Sequence, residues 1–230
     1  MENQSPHALP SGTLLGRGLY RLEECLGQGG FGITYRAVEP VGNQPVVVKE
    51  LFPRGAMRQG ATVAPDAVLK PVWSRACEQF RQEGECLQRL SHPGVVRVYG
   101  VLEENNTVYL VMAYVEGEVL SAYLERQGGR LPVEEVVAVA EQVADALQTV
   151  HAAGWLHRDL KPHNLYRRKD GQLVLLDFGA ARQFQADETG THSVILTTGM
   201  APPEQYRTKA KRGAFTDVYG LAATLYVLLT

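Results

Sequence analysis

The sequence predicts an α+β fold, with a strand-rich first half followed by a helix-rich second half. Two observations predict it. Apolar runs with strand character, punctuated by Gly and Pro, fill the chain up to about residue 115. After Gly117 the apolar residues recur at helical spacing instead. Strands gathered before helices fit an α+β arrangement.

Taken in order, residues 1–13 are polar and read as a disordered lead. "LYRLEECLG", "GITYRAV" and "PVVVKEL" read as three strands from Leu19 to Leu51. Residues 53–72 contain Pro and Gly and read as irregular. A helix is predicted from about Trp73 to Leu90, with Phe80, Glu83, Leu87 and Leu90 on one side and Pro93 just past its end. "VVRVYGV" and "TVYLVMA" supply two more strands around a turn at Glu104–Asn106. The first half is thus a small five-stranded sheet with one helix.

In the second half, Val136, Ala140, Val143, Leu147 and Val150 mark a helix that Gly154 closes. A polar stretch, "WLHRDLKPHNLY", leads into a short strand, "QLVLLDF", and then a long loop to about Tyr206. The final "DVYGLAATLYVLLT" is apolar on all sides, the pattern of a helix buried within a domain. No sequence follows Thr230 to bury it, so the expectation is a second half that is incomplete.

Composition narrows the function. The chain carries 23 basic and 25 acidic residues, a net charge of −2. Nucleic acid as a partner would want a basic excess. The three cysteines, Cys25, Cys77 and Cys86, lack metal spacing and fit a reducing compartment, so a cytoplasmic protein is expected. The leading residues lack the apolar stretch of a signal peptide, and no apolar run is long enough to span a bilayer.

The chemistry begins with "LGQGGFGITY", where Gly27, Gly29 and Gly32 form G-x-G-x-x-G. By itself this motif is weak, because glycines also serve ordinary hairpins. A dinucleotide site needs these glycines between a strand and a helix. Here they lie between two strands, where bare backbone lets N–H groups approach phosphate oxygens. Lys49 sits in an apolar strand, where an ammonium is costly unless paired. Glu83 is a natural partner, although Glu78 and Glu85 lie on the same helix and spacing does not choose among them. Asp177 ends an apolar strand and suits a hard cation such as magnesium, with Asn164 offering a second oxygen. Asp159 offers a carboxylate suited to accept a proton from a hydroxyl.

In this order the glycine loop, Lys49, "HRDLKPHN", "DFG" and a "PPE" resemble the motifs of a protein kinase, from about Tyr20 to the end of the chain. The chain resembles the eukaryotic-type (Hanks-type) Ser/Thr kinases of bacteria, with Lys161 as the Ser/Thr mark. The resemblance implies a two-lobed fold, with residues 14–115 as the small lobe and 116–230 as a mainly helical large lobe. It implies ATP and Mg2+ (or Mn2+) as cofactors, protein Ser/Thr hydroxyls as substrates, and a homodimer for trans-autophosphorylation.

Residue by residue, it implies that Leu26, Gly27, Gly29, Gly30, Gly32, Thr34 and Val47 cover the nucleotide. Lys49 would pair with its phosphates and with Glu83, which counting back from Pro93 selects. Met112 would be the gatekeeper, with Ala113 and Val115 presenting backbone groups to adenine and Tyr166 beneath it. Asp159 would accept the hydroxyl proton, Lys161 would neutralise the transferring phosphoryl group, and Asn164 and Asp177 would hold the metal. Leu87, Val98, His157 and Phe178 would form a stacked hydrophobic column, and Asp217 would anchor the catalytic loop. Arg158 would pair with a phosphate on the activation segment, with Ser193 at the phosphorylated position and Thr197 at the position that bonds the catalytic aspartate. Val47, Thr34 and Tyr166 depart from the usual adenine-pocket residues, and Leu196 and Met200 from the usual substrate-side pair.

Overall fold

The computed structural model describes residues 5–178, 182–183, 200–206 and 210–230. It divides into two compact units: residues 1–89 with 97–114, and residues 90–96 with 115–230.

The first unit is built on a six-stranded antiparallel sheet of β1 (Leu14–Leu15), β2 (Tyr20–Gln28), β3 (Gly32–Glu39), β4 (Gln44–Leu51), β7 (Val98–Glu104) and β8 (Thr107–Ala113), in the order β1-β2-β3-β4-β8-β7. The sequence predicts five of these strands. The sixth, β1, has two residues and no periodicity to read. Register determines which residues share a face. Ile33, Glu50 and Tyr109 are paired across three strands, as are Tyr35, Val48 and Val111. One residue along, Thr34, Lys49 and Leu110 pair, as do Arg36, Val47 and Met112. Successive residues point to opposite faces. Lys49 and Glu50 therefore lie on opposite sides of one sheet.

On the Glu50 side sits a hairpin, β5 (Ala56–Gln59) and β6 (Thr62–Pro65), within the segment predicted to be irregular. Its four-residue strands have mixed polarity, and Gly60 at φ 62° makes the turn. Arg58 on this hairpin reaches Glu50 at 2.5 Å; Glu50 is buried, and the Arg58 side chain is 9% exposed. The hydroxyls of Tyr35 (2.7 Å) and Tyr109 (3.0 Å) also donate to the Glu50 carboxylate. Burial first, and the Glu50 charge second, hold both phenols well above their ordinary range, so they remain donors. Arg58 Nε donates to the His7 carbonyl at 2.5 Å, and the Leu9 N–H donates to Tyr35 at 3.0 Å.

Residues 5–13 are thus ordered, where their polar composition predicts a disordered lead. Leu9 is 5% exposed within the core, His7 stacks on Phe52 at 5.4 Å, and Gly12 and Leu22 exchange backbone bonds with β2 and the lead. One apolar anchor and a buried hydroxyl suffice to order it.

On the Lys49 side of the sheet lies α1 (Trp73–Arg89), one residue shorter than predicted. Gly84 allows the approach: a Cβ there would collide with Leu110 and meet Val101 at 2.7 Å. Leu110 is the cross-strand partner of Lys49, so α1 packs on the lysine's face.

In the second unit, β9 (Gly117–Val119) comes before α2 (Leu120–Arg126) and α3 (Val133–Ala152) and pairs with β11 (Leu165–Arg168), which follows them and also pairs with β12 (Leu173–Leu175). The seven residues of α2 are too few to announce a period. β10 (Trp155–Leu156) pairs with β13 (Arg182–Gln183). Residues 90–96 join this unit because Val95 bridges Leu175 and Leu175 N–H donates to the Gly94 carbonyl at 2.8 Å. The boundary between units is therefore less simple than a single cut at residue 115.

The last helix, α4 (Ala214–Leu229), packs on α3, and the Leu228 carbonyl accepts from Leu131 N–H at 2.8 Å. Its composition is that of a helix buried on all sides, but only part of it is covered. Its buried residues are Thr216, Asp217, Gly220, Thr224 and Leu228, while Phe215, Val218, Tyr219 and Tyr226 are exposed. The Thr224 hydroxyl satisfies itself on the Gly220 carbonyl at 2.8 Å.

Candidate active site

The loop between β10 and β11 carries a dense polar cluster. Asp217 of α4 organises it from within the same unit. Its carboxylate, 1% exposed, accepts from the backbone N–H of Arg158 at 2.7 Å, the N–H of His157 at 2.9 Å and His151 Nε2 at 2.7 Å. A buried carboxylate needs hydrogen-bond donors around it. These three supply them, and in return they fix the loop. His157 is fully buried, and its Nε2 meets the Leu176 carbonyl at 3.0 Å. A carbonyl only accepts, so Nε2 carries the proton and Nδ1 faces the Asp159 N–H at 3.4 Å.

The side chains of Asp159, Lys161 and Asn164 then converge. Lys161 Nζ lies 2.7 Å from Asp159 Oδ2. Asn164 Nδ2 donates to the same oxygen at 2.8 Å and to the Asp159 carbonyl at 2.7 Å. Both bonds use the amide nitrogen, so the Asn164 carbonyl oxygen is the atom available to a cation. The Asn164 backbone carbonyl receives Leu176 N–H at 2.9 Å, which ties the loop to the strand leading to Asp177. Asp177 is exposed and has φ 53°, a left-handed conformation uncommon outside glycine. His157 and Phe178 are in ring contact at 4.6 Å. Oxygen donors from an amide and a carboxylate fit Mg2+, which keeps several ligands outside the protein. Among the described residues, no three His, Cys, Asp or Glu side chains form a metal cluster.

The first unit holds the predicted glycines with Leu26, Thr34, Val47, Lys49, Glu83, Met112 and Ala113. Gly27, Thr34, Val47, Lys49 and Met112 lie on one face by register. Lys49 is buried, with its Nζ 5.8 Å from the Phe80 ring centroid. Of the acids on α1, Glu83 is the buried one. Glu78 and Glu85 both engage Arg81, Glu78 at 2.7 Å. The glycines serve two purposes. A Cβ on Gly32 would collide with the Glu50 carbonyl, so Gly32 is required by strand approach. Gly27 and Gly29 face open space in which nothing lies within 4 Å of a Cβ, as a phosphate cradle requires. Leu26 is exposed beside them, and the Gly29 N–H closes the turn on the Gly32 carbonyl at 2.8 Å. The Ala113 N–H donates to the Arg97 carbonyl at 2.8 Å. Leu87 and Val98 are buried.

Val115 belongs to the second unit, as does Tyr166, whose hydroxyl donates to the Gly117 carbonyl at 2.8 Å. Glu204 accepts from the Thr216 hydroxyl at 2.9 Å. Ser193 and Thr197 lie outside the described residues. Sequence reasoning missed His151 and Gln205. His151 has a faint signal, a histidine at the polar end of an apolar helix. Gln205 has none beyond its place after "PPE".

The profile of the protein kinase domain family matches residues 20–230. The chain belongs to the protein kinase domain family. Among similar proteins, this kinase domain is 37% identical over 221 residues to the serine/threonine-protein kinase PkaA of Streptomyces coelicolor, covering 92% of this chain and 38% of that one. It is 35% identical over 220 residues to serine/threonine-protein kinase PknA of Mycobacterium tuberculosis, covering 93% and 47%. A solved structure, "PpkA-294 apo form", superposes with a TM-score of 0.82 at 32% identity, covering 96% of this chain and 78% of that one. The kinase domain thus spans less than half the length of these two curated relatives, and it is of the bacterial Hanks type. No helix among the described residues is long and apolar enough to cross a membrane.

Proposed function

We propose that this chain transfers the γ-phosphoryl group of ATP to serine or threonine hydroxyls of proteins. The observation that carries the reading is the catalytic loop. Asp159, Lys161 and Asn164 converge on one oxygen, on a backbone that Asp217 fixes. Family membership and the names of the relatives support it.

In the proposed mechanism, the bare backbone at Gly27 and Gly29 and the Lys49 ammonium bind the phosphates. Glu83 serves as the partner that holds Lys49 charged. Asp159 accepts the proton of the attacking hydroxyl as the hydroxyl oxygen bonds to the γ-phosphorus, while the bond from that phosphorus to the β-phosphate oxygen breaks and ADP leaves. Lys161 steadies the Asp159 carboxylate and offsets charge on the phosphoryl oxygens. When bound, Mg2+ or Mn2+ supplies charge neutralisation at the phosphates, with Asn164 and Asp177 as its protein ligands. Phosphoryl transfer depends mainly on positioning and electrostatics, so a rigid loop is the main requirement. Met112, Ala113 and Val115 are proposed to recognise adenine, with Leu26, Gly30, Thr34, Val47 and Tyr166 enclosing it. Arg158, buried beside Asp159, is the proposed partner of a phosphate at Ser193 or a neighbouring threonine, added by a second copy of the chain.

The test is transfer of label from γ-labelled ATP to casein in the presence of Mg2+. The reading expects Asp159→Asn to reduce the rate by about 100-fold or more, as loss of a general base does. Equal rates for Asp159→Asn and the parent, or no transfer by the parent, would overturn it. Nucleotide binding without transfer would leave a binding module instead. Phosphopeptide mapping of active protein should place phosphate between Thr189 and Thr198.

A further inference from the structure

Gln205 lies on the helical turn Pro203–Tyr206 of the "PPE" segment, and its side chain is only 6% exposed. Its Nε2 donates to the Arg158 carbonyl at 2.8 Å in a buried bond. Because that carbonyl can only accept, the amide has one orientation. Its other atom, Oε1, is then buried with no hydrogen-bond partner among the described residues. A buried amide with half its capacity unused carries a desolvation cost, which its one bond to the Arg158 carbonyl offsets. The worth of a glutamine here therefore lies in that bond.

The bond does something specific to the loop. Arg158 has φ 67°, a region that is unfavourable for a residue with a Cβ and persists only where neighbours over-determine it. Asp217 Oδ1 holds the Arg158 N–H at 2.7 Å, and Gln205 holds its carbonyl. That carbonyl belongs to the peptide plane that carries the Asp159 N–H. The Asp159 N–H itself meets His157 Nδ1 at 3.4 Å, too long to fix the plane alone. A small cavity lined by residues that include Arg158, Asp159, Met200, Pro202 and Asp217 adjoins the plane. We propose that Gln205 is a positioning residue. Its amide sets the tilt of the Arg158–Asp159 peptide, and so the aim of the Asp159 carboxylate at the substrate hydroxyl. This rests on the kinase reading above.

The experiment compares the full chain with Gln205→Met, Gln205→Glu and Asp159→Asn, using casein and Mg-ATP, with melting temperature measured in parallel. Gln205→Met keeps the volume and removes both the donor and the orphan oxygen. The expected result is a kcat about five- to tenfold lower, as for loss of one buried hydrogen bond at the transition state, with KM for ATP within about twofold and little net change in melting temperature, because removing the orphan oxygen offsets the Arg158 carbonyl left without its donor. Gln205→Glu replaces the donor with an acceptor facing a carbonyl, and its kcat should fall at least as far. A purely structural role would instead lower the melting temperature and leave kcat per active molecule unchanged. Either variant with parental kcat overturns the proposal. If Asp159→Asn matches the parent, the kinase reading fails and takes this inference with it. If Asp159→Asn is inactive while Gln205→Met is normal, only this inference falls.

Discussion

Replacing Arg58 with methionine should unfold much of the first unit's margin of stability. The Arg58 side chain is 9% exposed and that of Glu50 is 0% exposed, so water cannot replace the guanidinium when it is removed. Glu50 would keep only the two tyrosine hydroxyls at 2.7 and 3.0 Å. Stranding one member of a buried pair costs about 3–5 kcal/mol. Losing the donor to the His7 and Ala61 carbonyls adds about 1 kcal/mol, because those groups are only partly buried and recover water. Against a whole-domain stability of about 5–15 kcal/mol, this is a large fraction.

Urea denaturation followed by Trp73 fluorescence, in a Trp155→Phe background, reads the first unit, because Trp73 is buried there. The double variant Glu50→Gln with Arg58→Met removes the stranded charge and should recover stability relative to Arg58→Met alone. If Arg58→Met costs less than about 1 kcal/mol, or the double variant is no better than the single, then charge burial is not what the pair manages and the reasoning fails.

Three further outcomes are expected. Gly84→Ala should lower stability by about 1–3 kcal/mol through overpacking on Leu110 and Val101, despite the better helix propensity of alanine; an unchanged melting temperature would show that α1 can shift without cost. Asp217→Asn turns one acceptor oxygen, Oδ1 facing the Arg158 N–H or Oδ2 facing the His157 N–H and His151, into a donor, so kcat should drop at least tenfold with KM for ATP little changed, read from steady-state kinetics. Burial pushes the Cys86 thiol up to about 11, so it stays neutral at pH 8. Relative to an ordinary cysteine near 9, its thiolate is about 100-fold scarcer there, and alkylation followed by mass spectrometry should be slow at pH 8 and rise through pH 11.

How much of this was legible beforehand depended on the kind of signal. Strands such as "PVVVKEL" announce themselves by composition, and α3 by its spacing. The catalytic loop was legible because Asp159, Lys161 and Asn164 are close in sequence, and their convergence follows from a short loop. Elements of two to seven residues, such as β1, the hairpin and α2, are set by tertiary pairing and carry no period. The lead is ordered by Leu9 and Tyr35, a contact between residues far apart in sequence. In α4, composition gave total apolarity but not orientation. The face that is buried is the one carrying Asp217, since a charge with three donors to satisfy decides the orientation over several exposed aromatic rings. Gln205 was illegible because its role lies in one hydrogen bond to a backbone atom.

The ordered lead has a practical consequence for anyone who cuts and recombines such domains. The family profile begins at Tyr20, yet the first unit draws core residue Leu9 and the His7 carbonyl from upstream of that point. A chimaera joined at the profile boundary would inherit a foreign peptide there. The Tyr35 hydroxyl would then lose the Leu9 N–H, and the Arg58 Nε the His7 carbonyl. The transferable module starts at Ser5 or earlier, and grafts spliced at Tyr20 should be compared with grafts spliced ahead of it before any loss of function is blamed on the catalytic residues.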